Sequence, residues 1–233
     1  MIEKVKKKVS ELLNKDNSGH GMDHINRVLN LSLKFAKAED ADEDIVALIS
    51  LLHDVDDYKL FGMENANNLT NAKKIMSDCH VDKNTQEQVC LALKNIGYSK
   101  RLKGCCPTTI EGRIVSDADM CDVLGANGIL RVCMYHQKNN SPFFDKNIFP
   151  IEDITAEKYK KCADSGVCHI FEKLLRLKDL MLTKSGKEEA KSRNQITIDF
   201  LYHLFEEENV SEWIEYLNSY LKRNEEPKEN RLF

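Results

Sequence analysis

Apolar residues recur along this chain at three- and four-residue spacing, the period of one helix face, in runs parted by short polar or glycine- and proline-bearing stretches. Ile2, Val5, Val9, Leu12 and Leu13 predict a short amphipathic helix, stopped by Asn14-Lys-Asp-Asn-Ser-Gly19. Gly19-His-Gly-Met-Asp-His-Ile-Asn-Arg-Val28 then leads into Leu29, Leu31, Leu33, Phe35 and Ala36. The densest apolar run is Ile45 to His53, where only Ser50 and His53 are not core-forming. Its Leu and Ala content, with Asp40, Asp42, Glu43 and Asp44 ahead of it, predicts a buried helix rather than a buried strand. Further helices are expected over 65–79 and 83–95, then after a cap at Thr108 or Thr109 with Glu111 behind it, through Gly112 to Gly125. The pattern resumes over 128–136, 166–183, 184–208 and 211–223, the last carrying Trp213.

Between these, residues 137–155 show no clear period, yet hold Ser141-Pro-Phe-Phe144 and Phe149-Pro150. A lid, an oligomer contact and a plain surface loop all stay open for this stretch, and with the second a homodimer. Glu206-Glu-Glu208 and the tail after Asn224 read as solvated, the tail as disordered. Four prolines, few β-branched alternations and no hairpin signal make the expected fold all-α, a single domain without repeats or linkers.

Composition narrows the class. A chain of 233 residues, 42% hydrophobic and 31% charged, can bury a sizeable core. A net charge of -4 argues against a general binder of nucleic acid polymers. Met1 to Lys8 alternates charge with isolated Ile and Val, so neither a signal peptide nor a membrane span is expected, and a cytoplasmic location is. Eight cysteines without a Cys-x-x-Cys pair read as free thiols. The vicinal Cys105-Cys106 pair reads as small half-buried side chains before it reads as a soft-metal or redox site.

The chemistry gathers where apolar runs meet polar groups. His53, Asp54, Asp56 and Asp57 stand at the end of the core helix, and burying imidazole and carboxylate there is costly unless something binds them. His53 and Asp54 lie about 100° apart around a helix, so they converge on one ion only where the helix ends; Asp57 follows on the same side. Two residues are too few to hold an ion, so others must contribute. His20, His24 and Arg27 are spaced by four and three and share a face. A lone histidine is ordinarily a satisfied core or surface residue, but this group precedes His53-Asp54. Asp119 and Asp122, three apart among Ile114, Val115, Ala118, Val123 and Leu124, need partners; Asp119 reads as a metal ligand and Asp122 as a supporting or structural carboxylate. Lys100, Arg101 and Lys103 suit a phosphate and an exposed loop equally.

His24 followed by Arg27-Val28, then His53-Asp54, then Ala118-Asp119, in that order on successive predicted core helices, resembles the H…HD…D signature of the HD-domain metal-dependent phosphohydrolases. Gly19-His20 with His24, His53-Asp-Val-Asp-Asp-Tyr-Lys59, Ser116-Asp-Ala-Asp119 with Gly125-Ala-Asn-Gly128, and His169 to Lys178 are similar to small stand-alone bacterial members that include nucleotide pyrophosphatases. The resemblance spans about residues 18–206, leaving 1–17 as an N-terminal helix and 207–233 as a C-terminal helix and tail on the same domain. It departs at Arg131, which those proteins follow with an aromatic residue and a Gly-Gly turn; here Val132-Cys-Met-Tyr-His136-Gln137 follows.

The resemblance implies a helical HD fold with one divalent ion held between core helices by His24, His53, Asp54 and Asp119. Nitrogen and oxygen donors together suit Mn²⁺, Fe²⁺, Co²⁺ or Mg²⁺, whereas structural zinc more often recruits cysteine. It further implies metal-activated water attacking a phosphate ester or anhydride of a nucleotide or similar small molecule. Asp57 is the candidate general base or water-orienting group, with His20 as the other candidate. Arg27 is the candidate phosphate partner, followed by Lys59, Lys103, His169, Lys173 and Lys178. Release of pyrophosphate from a nucleoside triphosphate is the favoured subtype. Cleavage of a nucleoside monophosphate, a cyclic-nucleotide phosphodiesterase and a non-catalytic nucleotide sensor are the alternatives.

Overall fold

The computed structural model describes residues 1–13, 21–101, 103–151 and 165–225. His20, the 14–19 stop and the tail from 226 lie outside them, as do residues 152–164. Among the described residues the fold is all-α, with no strand. Its centre is α3 (Glu43–Leu52), in which every residue from Val46 to Leu52 is buried. A helix apolar on all sides has no face to give to water, so it must sit inside others. Ser50 is buried with them, contrary to its expected place off the core.

α2 (Met22–Ala38) and α8 (Ile110–Asp122) pack on α3 and on each other. α1 (Ile2–Leu13) covers α3 through Val5, Val9 and Leu13, and α6 (Lys83–Leu93) also packs on it. α4 (Tyr58–Asn68) and α5 (Thr70–Asp78) replace the single helix expected over 65–79. Leu69, in left-handed backbone at φ 52°, divides them, and Asp56 fixes the division by accepting the Asn71 and Ala72 amides at 2.8 and 2.9 Å. The loop expected over 97–107 contains one short helix, α7 (Tyr98–Arg101).

α9 (Gly125–Lys138) is longer than its pattern suggested. It reverses tightly from α8, so tightly that a Cβ on Gly128 would run into the backbone of Val123. After 164 the chain continues as α10 (Gly166–His169), a π-helical turn (Ile170–Leu174), α11 (Leu175–Leu177) and a 3₁₀ turn (Lys178–Leu180). α12 (Lys184–Glu207) packs on α8 and α9, and α13 (Ser211–Glu225) packs on α12.

Helix starts are capped locally. Asp42, Asp57, Asp82, Thr109, Ser165 and Thr183 each accept a first-turn amide, satisfying donors that a helix N-terminus leaves open. Phe143 and Phe144, from the irregular stretch, pack against the core, with Phe144 edge-on to Trp213 at 5.2 Å between centroids and Phe143 against Phe200, while Phe149, itself exposed, stacks on Trp213 at 4.5 Å. No helix among the described residues is long and apolar enough to cross a membrane.

Candidate metal centre

The buried stripe of α2 runs His24, Val28, Leu31 and Phe35, so the same spacing that packs the helix carries His24 into the core, 3% exposed. His53 follows the last residue of α3, where the helix leaves carbonyls without an amide partner. Its Nδ1 lies 2.8 Å from the Ser50 carbonyl oxygen. A carbonyl only accepts, so Nδ1 carries the proton and Nε2 is left with a bare lone pair.

The His24 and His53 Nε2 atoms stand 3.1 Å apart. Asp54 Oδ2 lies 3.4 Å from the first and 3.5 Å from the second; Asp119 Oδ1 lies 3.5 and 3.8 Å away. Atoms about 2.1 Å from one ion are about 3 Å apart at right angles and about 3.4 Å apart in a tetrahedron. His24, His53 and Asp119 thus lie close enough together to hold one cation, and Asp54 Oδ2 stands near both imidazole nitrogens of that group. Two nitrogen lone pairs so close repel unless a proton or a metal ion stands between them. Burial works against charge on His24, but hydrogen bonds that it donates to Asp122 and Asp54 and the charges of Asp119 and Asp54 raise its pKa to about 9. The negative field that holds a proton there suits a divalent ion equally.

The two carboxylates of α8 divide the work. Asp119, its side chain 26% exposed, faces the donor cluster, whereas Asp122, at 2%, is enclosed behind His24. Asp122 Oδ2 lies 2.7 Å from His24 Nδ1; Arg27 donates from Nε to Oδ1 at 2.6 Å and from Nη2 to Oδ2 at 2.9 Å, and Arg131 Nη1 donates to Oδ2 at 2.9 Å. Burial alone would raise the Asp122 pKa, but the hydrogen bonds and charges of His24 and Arg27 hold it well below the usual carboxylate range.

Lys173, on the π-helical turn, has its Nζ 4.8 Å from the Tyr98 ring centroid. Burial brings its pKa down to about 8; the charge of Asp119 opposes this, and those of Lys59 and Arg131 add to it. Lys173 thus lies in charge range of Asp119, Lys59 and Arg131 lie in charge range of Lys173, and Arg131 Nη1 is 3.3 Å from His24 Nδ1. His169 sits between Lys173 and His136, with a ring separation of 6.1 Å to the latter. Asp57 caps α4 through Oδ1 to the Lys59 amide at 2.8 Å. Among the described residues no ion pair draws Lys103, on an exposed turn, or Lys178, on the 3₁₀ turn, into the cluster. Arg131, Tyr98 and His136 were not selected from the sequence as site residues. Arg131 and His136 reach it through the α8–α9 reversal, and Tyr98 belongs to a stretch that reads as loop.

No protein-family model matches the chain. Among solved structures, it is similar to an HD-superfamily hydrolase from Bacillus thuringiensis, with 30% identity, a TM-score of 0.71, and 90% of this chain and 97% of that one covered. A protein from Lactobacillus plantarum is 28% identical with a TM-score of 0.75, over 89% of this chain and 96% of that one. Bacillus subtilis YpgQ in complex with ADP is 25% identical with a TM-score of 0.66, over 88% and 94%. The chain belongs to the HD superfamily of hydrolases. It is accordingly a metal-dependent phosphohydrolase, and His24, His53 and Asp119 form a group that could hold a divalent ion.

Proposed function

We propose that the chain hydrolyses a phosphate anhydride or ester of a nucleotide, with a nucleoside triphosphate cleaved to its monophosphate and pyrophosphate as the favoured reaction. The observation that carries the reading is the donor cluster of His24, His53, Asp54 and Asp119 with Lys173 in charge range of Asp119. YpgQ, similar over most of its length, has been crystallised with ADP, which supports a nucleotide as the ligand class.

The ligands are His24, His53, Asp54 and Asp119. A bound divalent ion supplies a Lewis acid that acidifies water and offsets phosphate charge. Asp57, on the turn after Asp54, accepts the proton of the attacking water, with His20 as the alternative acceptor. The water oxygen bonds to the α-phosphorus, the bridge to the β-phosphate breaks, and pyrophosphate leaves with the bond's electrons. Lys173, with a pKa of about 8, and Lys59 meet the phosphate oxygens. Arg27 presents whatever donor capacity its bonds to Asp122 leave; His169, Lys103 and Lys178 complete the proposed substrate contacts.

The test is product analysis. Chelator-stripped protein is resupplied with Mn²⁺, Co²⁺ or Mg²⁺ and given nucleoside mono-, di- and triphosphates, with orthophosphate and pyrophosphate scored separately. Metal-dependent pyrophosphate release is expected. Orthophosphate alone would shift the reading to a phosphatase, and nucleotide binding without turnover to a sensor.

A further inference from the structure

Both imidazoles of the donor cluster are aimed by their far nitrogens, but by different devices. His53 Nδ1 rests on the Ser50 carbonyl, part of the α3 backbone and unable to rotate. His24 Nδ1 rests on Asp122, whose side chain could turn away were it not held. Arg27 holds it in two-pronged fashion, one nitrogen to each oxygen, and Arg131 takes Oδ2 from α9. The carboxylate is 2% exposed and bonded from α2 and α9 at once.

We infer that Asp122 is the positioning residue of the centre, fixing His24 in its Nδ1–H tautomer and so presenting the Nε2 lone pair to the ion, with Arg27 and Arg131 as the clamp that fixes Asp122. This rests on the reading that His24 ligates the metal. A carboxylate oxygen 2.7 Å from Nδ1 accepts, so the proton is on Nδ1. Arg131 Nη1, 3.3 Å from the same nitrogen, finds a donor there rather than an acceptor, and its hydrogen bond goes to Asp122 at 2.9 Å. Spacing makes the division of labour possible. Three residues apart on α8, Asp119 and Asp122 lie on one side of the helix, one beside Nε2 of His24 and the other beside Nδ1. Loss of Asp122 would free the imidazole to rotate and leave two guanidinium groups unpaired beside a divalent cation. Outer-shell partners of this kind contribute about 10- to 100-fold in metal affinity.

The experiment compares chelator-stripped wild type with Asp122→Ala, Asp122→Asn and His53→Ala. It measures Mn²⁺ affinity by electron paramagnetic resonance, folding by circular dichroism, and the imidazole ¹⁵N shifts of His24 in Mg²⁺-loaded protein. Wild type should show Nδ1 protonated and Nε2 without a proton. Asp122→Ala should bind Mn²⁺ about 10- to 100-fold more weakly with its helical content kept, and Asp122→Asn, which retains an acceptor, should fall between. The inference is overturned if wild-type His24 carries its proton on Nε2, a result that needs no variant to fold. It is equally overturned if Asp122→Ala binds Mn²⁺ like wild type while His53→Ala does not. Unchanged binding in His53→Ala would overturn the metal reading itself.

Discussion

His169 lies between two other basic groups, and its pKa follows from that. Burial, then the charge of Lys173, then that of His136, push its imidazole down to about 3 from an ordinary 6.5. Between those values the unfolded chain binds a proton that the folded one refuses, so stability is complete above about pH 6.5 and falls as pH drops toward 3. At pH 5 the loss from this one group is about 2 kcal/mol, at about 1.4 kcal/mol per pH unit below the unfolded pKa. His169→Gln should therefore lose less stability than wild type between pH 7 and pH 5, as read by urea denaturation of the metal-free protein at both. Equal losses would mean that His169 is protonated in the folded state. The residue types were legible in the sequence, but this environment was not: His136 reaches His169 from α9, 33 positions earlier, and no local spacing signals the approach.

Helix α8 ties three regions together through three carboxylates on little more than one turn. Asp117 accepts the Leu182 and Thr183 amides and the Thr183 hydroxyl, joining α8 to the start of α12; Asp119 faces the ion site; Asp122 reaches α2 and α9. At the first of these a Cβ on Gly186 would lie 2.7 Å from the Asp117 Cβ, and the bonds to Leu182 and Thr183 keep that side chain from giving way. Gly186→Ala should cost about 1–3 kcal/mol, seen as a lower denaturant midpoint, because overpacking forces the α8–α12 contact apart. No change in midpoint would show that the joint yields. Element by element, legibility followed pattern strength. The apolar run of α3 and the capped start of α8 stood out, since each has a signature within a few residues. The break between α4 and α5 did not, because Leu69 is an aliphatic residue in left-handed backbone and the group that secures the break, Asp56, lies well upstream.

At the scale of the molecule, α2, the end of α3 and α8 bring donors 24, 53, 54 and 119 to one point, with α9 and the π-helical turn supplying cations around it. That these side chains would meet was readable because polar groups interrupt otherwise apolar helices. The outer partners were less so, since an arginine on a helix such as α9 is unremarkable until the chain reversal before it is known. The irregular stretch was harder still: Phe143, Phe144 and Phe149 pack against Phe200, Phe205 and Trp213, contacts that join it to the two C-terminal helices and have no periodic signature. If the centre holds the catalytic ion, metal binding and hydrolysis fail together. Calorimetric titration of chelator-stripped protein with Mn²⁺, run beside turnover of a nucleoside triphosphate, should find one ion per chain in wild type. In Asp54→Ala both affinity and turnover should drop by more than the roughly 100-fold that marks the upper end for an outer-shell partner. An Asp54→Ala protein that keeps wild-type metal binding and wild-type hydrolysis would contradict the assignment of the centre.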